Sequence, residues 1–326
     1  MVTSDTMCGY QPEFTISSKS VNLISEITAL ITKMDPHSMN RDLKLRKKNR
    51  VKSIQSSLQI EANSMTVEQV TDIMNGKRVL GPPRDIREVK NAIEAYKLLP
   101  NLDPFSVNDL LKAHNTMMAD LTEQAGMFRT VGVNVINSST GEVIHYAPHP
   151  DYVPRFVEEL MQWASSSEDH PLIVSSVFHH EFEYIHPFTD GNGRTGRLWQ
   201  NLILSRWNPV FEWIPVESAI RNRQSEYYRC IKDATDLNDT SVFIEFMLES
   251  IKESLIESIR EPTTDLRTEL LSMIKKGKYT TAAEASDILG VSERTVRRHI
   301  ASLRDEGIIK REGPDKTGTW KIVRRR

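Results

Sequence analysis

The residues best suited to chemistry lie in one stretch, His186–Arg197, whose sequence is HPFTDGNGRTGR. It combines an imidazole, the carboxylate of Asp190, and two glycines that flank Asn192. A histidine accepts protons near neutral pH, and a carboxylate is a ligand that Mg²⁺ accepts alongside phosphate oxygens. Glycine-rich turns aim several backbone N–H groups at one anion. The stretch therefore predicts phosphoryl chemistry on an anionic substrate.

Two arginines, Arg194 and Arg197, complete this anion site. Apolar residues at helical spacing predict a helix that begins near Thr195, so both arginines lie close to its first turn. Helical side chains lean toward the N-terminus, and both guanidinium groups would therefore reach back over the anion. Arginine suits forked contacts with phosphate. A polyphosphate would use both side chains.

His186 is predicted to lie at the end of a second helix, over residues 172–185, because Pro187 disfavours helical geometry at the residue before it. A zinc site is an alternative, since His179, Glu183 and His186 would share one helical face. The spacing is not that of the His-Glu-x-x-His zinc motif. The sequence therefore favours the phosphate site.

The stretch resembles the signature of the Fic family, His-x-Phe-x-Asp/Glu-Gly-Asn-Gly-Arg-x-x-Arg, and fills every specified position. The resemblance implies transfer of AMP from ATP, with Mg²⁺, to a Ser, Thr or Tyr hydroxyl of a target protein or of the enzyme itself. His186 would be the catalytic base, Phe188 a buried anchor and Asp190 the Mg²⁺ ligand. A Doc-like kinase relative has Lys in place of the second Gly, and this chain has Gly there. The residues implied to bind phosphate are Gly191, Asn192, Gly193, Arg194 and Arg197.

A second motif resembles the inhibitory segment found N-terminal to many Fic domains, Ser/Thr-x-x-x-Glu-Gly/Asn. Ser57 and Glu61 match it, whereas Ala62 stands where the motif has Gly or Asn. In the family this Glu pairs with the second signature arginine, here Arg197. An arginine held in a bidentate carboxylate pair is unavailable to phosphate, and the carboxylate repels the nucleotide. The resemblance thus implies autoinhibition, with removal of AMP from modified protein as an alternative activity.

Alternating apolar residues over 131–135 and 143–146, around a turn at 138–141, predict a β-hairpin. It resembles the Fic flap, which follows a Gly-x-Phe-Arg sequence and aligns the target's backbone by strand addition. A later helix over 218–236 contains Tyr228, for which the family implies contact with adenosine; a core position is the alternative. Further predicted features are a capping box at Thr66 and Gln69, helices over 85–99, 105–121 and 242–259, and a structural role for His114.

The C-terminal segment predicts helices over 266–274, 281–289 and 292–305, then a hairpin formed by 307–310 and 319–323. This order resembles a winged helix-turn-helix domain. From residue 265 onward there are 15 Lys and Arg against 9 Asp and Glu, whereas the whole chain carries a formal charge of −2. That asymmetry favours DNA binding over protein contact. The candidate DNA contacts are Arg294, Thr295, Arg297 and Arg298.

We therefore expect a mainly α fold: a Fic-type helical core with a β-hairpin flap, and a small C-terminal winged-helix (α+β) domain. The expected divisions are an N-terminal helical region over 1–100, with the inhibitory helix at about 53–63, a catalytic core over 101–260 and the winged helix over 265–326. A basic run over 41–52 is expected to be the solvated face of a helix. A transcription regulator that only senses nucleotide is the alternative function.

Composition is ordinary for a globular protein, with 39% hydrophobic and 26% charged residues. The two cysteines, Cys8 and Cys230, are expected to be reduced thiols. Neither a targeting sequence nor an apolar run long enough for a membrane is evident, which predicts a cytoplasmic protein without a membrane partner. A homo-oligomer is left open.

Overall fold

The computed structural model describes residues 10–34, 43–136, 140–141, 143–260, 266–277, 281–289, 291–313 and 319–323. These residues fall into two compact units, one within Met1–Met34 and Asn49–Ser258, the other within Asp35–Lys48 and Ile259–Arg326. Cys8, most of the turn predicted at 138–141 and the predicted boundary at 261–264 lie outside the described residues. The signature belongs to the larger unit.

The larger unit is mainly helical, as predicted, with one two-stranded sheet. Its central pair is α7 and α8, which flank the turn of the signature and contribute the fully buried Phe178, Phe182, Trp199 and Leu202. The described helices that lie wholly or mostly in this unit are α1 (Ser18–Lys33), α2 (Leu43–Ile60, from Asn49), α3 (Val67–Met74), α4 (Pro83–Leu98), α5 (Val107–Met118), α6 (Val153–Ser166), α7 (Pro171–Ile185), α8 (Asn192–Trp207), α9 (Val216–Asn222), α10 (Gln224–Leu237) and α11 (Ser241–Arg260, as far as Ser258).

Local sequence signals predicted several helix starts correctly. Thr66 and Gln69 form the predicted capping box at the start of α3, and the Ser106 side chain accepts a hydrogen bond from the Asp109 backbone N–H at the start of α5. Each satisfies an N–H group that a helix start leaves without a partner. The predicted hairpin is also present, with β1 (Asn134–Ile136) antiparallel to β2 (Val143–Tyr146).

Two helix assignments were wrong. The helix predicted over 218–236 is divided at Arg223, which leaves helical geometry at φ −117° and ψ 32°. Its guanidinium is held by Glu226 and Glu249, and the contact with Glu249 on α11 is tertiary, so the local pattern did not reveal it. The helix predicted near Thr195 begins at Asn192, because Gly191 takes a left-handed conformation and ends the turn earlier.

The described part of the basic run, residues 43–52, is the first part of the long helix α2 and is not wholly solvated. The guanidinium carbon of Arg50 lies 5.1 Å from the ring centroid of Tyr96 and 5.2 Å from that of Trp213. Arginine stacks on aromatic faces in this way. Arg50 therefore holds this part of α2 within the larger unit.

The smaller unit contains α12 (Leu266–Lys275), α13 (Ala282–Leu289) and α14 (Glu293–Asp305), then β3 (Ile309–Glu312) paired antiparallel with β4 (Thr319–Ile322). The Ser292 side chain caps α14 by accepting from the Thr295 N–H. These elements confirm the predicted order of three helices and a hairpin. Their core consists of Leu270, Met273, Ile274, Ala285, Leu289, Val296, Ile300, Leu303 and Ile309.

Across the part of the chain that the structure describes, no helix combines the length and the apolar character needed to span a bilayer.

Candidate active site

His186 sits immediately after α7, in a left-handed conformation with φ 49° and ψ 63°. Its Nδ1 lies 3.3 Å from the backbone carbonyl oxygen of Glu183. A carbonyl oxygen only accepts, so Nδ1 carries the proton and the lone pair is on Nε2. Burial lowers the pKa of His186 to about 4. The imidazole is therefore neutral at pH 7 and able to accept a proton at Nε2.

Arg129 fixes the backbone on both sides of His186. Its Nε donates to the His186 carbonyl at 2.7 Å and its Nη2 to the Ile185 carbonyl at 3.2 Å. Its backbone N–H donates to the Pro187 carbonyl at 2.9 Å. Nη2 also donates to the carbonyl of Pro148, just after the hairpin, at 2.6 Å. Sequence reasoning noted the Gly-x-Phe-Arg sequence but did not assign Arg129 this positioning role.

The turn between α7 and α8 is held by His114, which has the structural role expected of it. Its Nδ1 accepts from the Gly126 N–H at 2.9 Å, so Nε2 carries the proton and donates to the Asp190 carbonyl at 2.9 Å. The ring stacks on Phe188 with a centroid distance of 3.6 Å. Phe188 is fully buried. A Cβ at Gly191 would lie 2.5 Å from the Met118 sulfur, so the turn requires glycine there.

Asn192 closes the turn with its side chain. Its Oδ1 accepts from the Phe188 N–H at 2.9 Å, and its Nδ2 donates to the Phe188 carbonyl at 2.8 Å. The Thr195 N–H donates to the Gly191 carbonyl at 3.0 Å, so the N–H groups of Asn192, Gly193 and Arg194 belong to the open first turn of α8. A helix start of this kind attracts an anion.

Asp190 and Arg194 are joined in a small ion network with α4. Asp190 accepts from Arg194 Nη2 at 2.9 Å and from Arg84 Nη2 at 3.0 Å. Glu88 lies 3.3 Å from Arg194 Nη1 and from Arg84 Nε. The Asp190 side chain is 41% exposed and already attracts two cationic groups. A single half-exposed carboxylate fits Mg²⁺, which takes its other ligands from phosphate and water.

Arg197 is buried and bound by the segment that resembles the inhibitory motif. Its Nε donates to the Ser57 hydroxyl at 3.1 Å, and its Nη2 donates to the Ser57 carbonyl at 2.9 Å and to Glu61 Oε1 at 2.8 Å. The expected bidentate geometry is wrong, because one nitrogen makes the contact with the carboxylate. Burial opposes the positive charge, but the attraction of Glu61 raises the pKa of Arg197. Nη1 is buried without a hydrogen-bond partner among the described residues.

Glu61 follows the last residue of α2, so the segment that resembles the inhibitory motif is the end of a long helix rather than a helix of its own. An ideal Cβ on Gly193 would lie 2.4 Å from Glu61 Oε1 and 2.9 Å from Arg197 Nη1. The space above Gly193 is therefore shared by an anionic carboxylate and an unsatisfied guanidinium nitrogen. A phosphate oxygen in this space would accept from Arg197 Nη1 and be repelled by the carboxylate.

These groups line one small cavity of about 40 Å³ that opens to solvent. Tyr228 contributes to its wall while remaining 7% exposed, and its hydroxyl lies 3.4 Å from the Ile60 carbonyl. It is thus both a core aromatic and a cavity residue. Sequence reasoning missed Tyr227, and it considered Glu183 only as a zinc ligand. The lining residues are Glu61, Val135, Ile144, Glu183, His186, Gly193, Arg197, Tyr227, Tyr228 and Ile231.

The zinc alternative has no support in this geometry. His179 Nδ1 lies 2.6 Å from Gln200 Oε1, and its Nε2 lies 3.0 Å from the Tyr227 hydroxyl. Both ring nitrogens are therefore engaged within the core. Over the residues described above, no three His, Cys, Asp or Glu side chains are grouped to hold a metal ion.

The four residues predicted to contact DNA lie in the first half of α14. Arg294, Arg297 and Arg298 are exposed, and Thr295 is half-buried. Arg297 Nη2 lies 2.9 Å from Glu293 Oε2, one turn earlier. The helix thus presents three guanidinium groups to solvent.

Comparisons with known proteins give a family match in each of the two units. Residues 104–204 match the Fic/DOC family and residues 267–314 match an HTH domain. The crystal structure of a Fic family protein from Desulfovibrio desulfuricans is 38% identical, with a TM-score of 0.79, and the match covers 96% of this chain and 98% of that one. Protein adenylyltransferase Fic of Nematostella vectensis is 29% identical over 200 residues, which cover 58% of this chain and 44% of that protein. Protein adenylyltransferase fic-1 of Caenorhabditis elegans is 28% identical over 212 residues, which cover 60% and 38%. This chain thus spans less than half the length of these curated relatives.

Proposed function

The chain belongs to the Fic family, and we propose that it is an autoinhibited protein adenylyltransferase. It would transfer AMP from ATP to a Ser, Thr or Tyr hydroxyl of a target protein or of itself. The curated relatives that it matches are named protein adenylyltransferases. The observation that carries the proposal is that one cavity joins a neutral His186 to the unsatisfied Nη1 of Arg197.

In this reaction His186 is the base. The target hydroxyl gives its proton to Nε2, its oxygen bonds to the α-phosphorus, and the bond from that phosphorus to the bridging oxygen breaks, so that pyrophosphate leaves. Such transfer depends chiefly on positioning and charge stabilisation. The N–H groups of Gly193 and its neighbours would hold the phosphates near the reacting oxygen, and Arg194 and Arg197 would neutralise the outer ones.

Asp190 would hold Mg²⁺, which when bound neutralises negative charge on the nucleotide phosphates. In the present arrangement its carboxylate is paired with Arg84 and Arg194. Release of Arg194 from Asp190 would make that guanidinium available to phosphate. The same side chains would therefore exchange carboxylate partners for nucleotide when ATP enters.

Glu61 would inhibit the reaction by holding Arg197. The 2.8 Å contact between Glu61 Oε1 and Arg197 Nη2 uses a donor that a phosphate oxygen needs. The carboxylate also lies over Gly193, in the space where a phosphate would approach the start of α8. Two like charges in a poorly hydrated cavity repel strongly. ATP would then bind without the alignment that transfer requires.

The hairpin would align the target. His145 on β2 lies 3.0 Å, through Nε2, from the Tyr184 carbonyl and stacks on the Tyr184 ring with centroids 5.2 Å apart. This contact fixes the hairpin next to the end of α7, where His186 lies. An extended target segment added to the hairpin edge would bring its hydroxyl near Nε2.

The test is incorporation of label from [α-³²P]ATP into purified protein. The Glu61→Gly chain should become labelled, and adding His186→Ala should reduce its labelling by at least about a hundredfold, the range of a general base. His149→Ala is the control, since this histidine beside the hairpin is 64% exposed. Equal labelling with and without the His186 imidazole would contradict the proposed base.

A second function, DNA binding, is favoured by the HTH match over residues 267–314 and by the exposed arginines of α14. Such a helix enters the major groove with its N-terminal residues toward the bases. Arg294, Thr295, Arg297 and Arg298 would be the contacting residues. A gel-shift in which no duplex is bound at low salt would contradict this function.

A further inference from the structure

Glu183 is a buried carboxyl group whose position the folded core does not explain. Its residue is only 4% exposed, and its Oε1 has no hydrogen-bond partner among the described residues. Buried polar atoms almost always find partners, and leaving one without a partner costs stability. The side chain borders the cavity that contains Glu61 and Arg197. A group kept there at a cost to stability is a candidate for function.

The other carboxyl oxygen faces the base. Glu183 Oε2 lies 3.8 Å from His186 Nδ1, the nitrogen that carries the proton, and the Glu183 backbone carbonyl lies 3.3 Å from the same atom. When Nε2 takes the target's proton, the positive charge of the imidazolium is shared with Nδ1. Burial makes His186 a weak base, because it disfavours that charge. Transfer therefore requires a group that stabilises the imidazolium.

We propose that Glu183 is a positioning residue for AMP transfer, whose ionised carboxylate stabilises the imidazolium of His186 while the target hydroxyl loses its proton. The inference rests on the proposed function. In the step itself the proton moves from the target oxygen to Nε2, the new phosphorus–oxygen bond forms and pyrophosphate leaves. Glu183 neither gains nor loses a proton in this step. Its charge acts across the 3.8 Å to Nδ1.

The role predicts a particular pH dependence. Burial raises the pKa of Glu183 to about 8. The attraction of Arg197 lowers this pKa, and the repulsion of Glu61 raises it further. In the Glu61→Gly chain, which lacks the repulsion of Glu61, the carboxyl should ionise at a pH below about 8, and transfer should increase as it does so.

The other groups that face Glu183 do not produce this dependence. On its own helix, burial lowers the pKa of His179 to about 3 and that of His186 to about 4. On α10, burial raises the pKa of Tyr227. On α8, Arg197 remains charged, and Glu61, at the end of α2, is absent from the Glu61→Gly chain.

The experiment compares single-turnover automodification by [α-³²P]ATP between pH 6 and 9.5 in three chains: Glu61→Gly, Glu61→Gly/Glu183→Gln and Glu61→Gly/Glu183→Asp. Glutamine keeps the size of the side chain but cannot ionise. Glu217→Gln in the Glu61→Gly background is the matched control, because Glu217 is likewise buried and has one carboxyl oxygen without a partner among the described residues, but it borders a different cavity. Circular dichroism reports whether each chain is folded.

We expect Glu183→Gln to remove this increase and to lower the rate at pH 9 by about tenfold or more, the factor that one pKa unit represents. The dissociation constant for ATP should change less than about twofold, since a base-positioning group acts on the chemical step. Glu183→Asp should retain a pH-dependent increase, and Glu217→Gln should retain the whole profile.

An unchanged pH profile in Glu183→Gln would overturn the inference, and so would a flat profile in Glu183→Asp. The Asp variant alone decides if the Gln variant does not fold. Failure of the proposed function has a different signature, since the Glu61→Gly chain itself would then incorporate no label at any pH.

Discussion

Glu61 and Gly193 are in direct apposition, so that a methyl group on Gly193 would lie 2.4 Å from the carboxylate oxygen of Glu61. The end of α2, where we propose inhibition, and the signature at the start of α8 therefore meet at a glycine. Arg197 Nη1 would lie 2.9 Å from the same methyl group. The space that glycine leaves is the space that a phosphate would require.

Replacing Gly193 with Ala in the Glu61→Gly chain should lower AMP transfer by about tenfold to a hundredfold, because the methyl group displaces the phosphates from the start of α8. Initial rates with [α-³²P]ATP measure this. Gly132→Ala is the matched control, since a Cβ at Gly132 would have nothing within 4 Å. Equal losses in the two variants would contradict the role assigned to Gly193.

Ala62→Gly should stabilise the chain by about 1 kcal/mol, because Ala62 has a left-handed φ of 64° that glycine adopts without strain. Chemical denaturation monitored by circular dichroism measures this change. Labelling should not increase, because Glu61 remains in place. An increase as large as that of Glu61→Gly would mean that a loosened turn, and not loss of the carboxylate, activates the enzyme.

Arg84→Ala should lower the Mg²⁺ concentration for half-maximal transfer, because it removes a cation that competes for Asp190. The effect should be about twofold to fivefold, since Arg84 is 60% exposed and such ion pairs contribute at most ~1 kcal/mol. A Mg²⁺ titration of the Glu61→Gly chain measures it. Arg87 lies on the same helix as Arg84 and forms an exposed ion pair with Asp120, so Arg87→Ala should have no effect on the Mg²⁺ requirement. A higher Mg²⁺ requirement in Arg84→Ala would contradict the competition.

Arg294→Ala and Arg298→Ala should each weaken binding to a DNA duplex and reduce the slope of log affinity against log salt by about 1, the effect of one lost phosphate contact. Fluorescence anisotropy over a series of salt concentrations measures both. Arg304→Ala at the far end of α14 is the control, because Arg304 pairs with Asp305. Loss of affinity in the control alone would place the nucleic-acid surface elsewhere.

The fold could be predicted from the sequence wherever the signal was local. Helical periodicity, the capping box at Thr66 and the caps at Ser106 and Ser292 depend on neighbours within a few residues, and the structure contains them. The start of α8 and the break at Arg223 were missed. Each depends on long-range contacts, such as that between His114 and the Asp190 carbonyl.

The features of the candidate site also divide into those that the sequence predicts and those that depend on long-range contacts. The signature is contiguous, so its residue types were visible together. The links that position them join distant segments, as Arg129 does to His186 and Ser57 to Arg197. The environment of Glu183 also depends on packing, because the cavity that it borders is lined by residues distant in sequence, such as Glu61 and Tyr227. The one-nitrogen geometry of the contact between Glu61 and Arg197 likewise required coordinates.

The most direct test of the central claim is the amount of [α-³²P]AMP transferred per chain by the wild-type protein, Glu61→Gly and Glu61→Gln under identical conditions. Removing the carboxylate that holds Arg197 should raise labelling at least about tenfold in Glu61→Gly, because the interaction of an ionised group with a buried hydrogen-bonding partner is typically worth 1.5–3 kcal/mol. Glu61→Gln should give a smaller increase, since the amide still fills the space above Gly193. Equal labelling of all three folded chains would contradict the account.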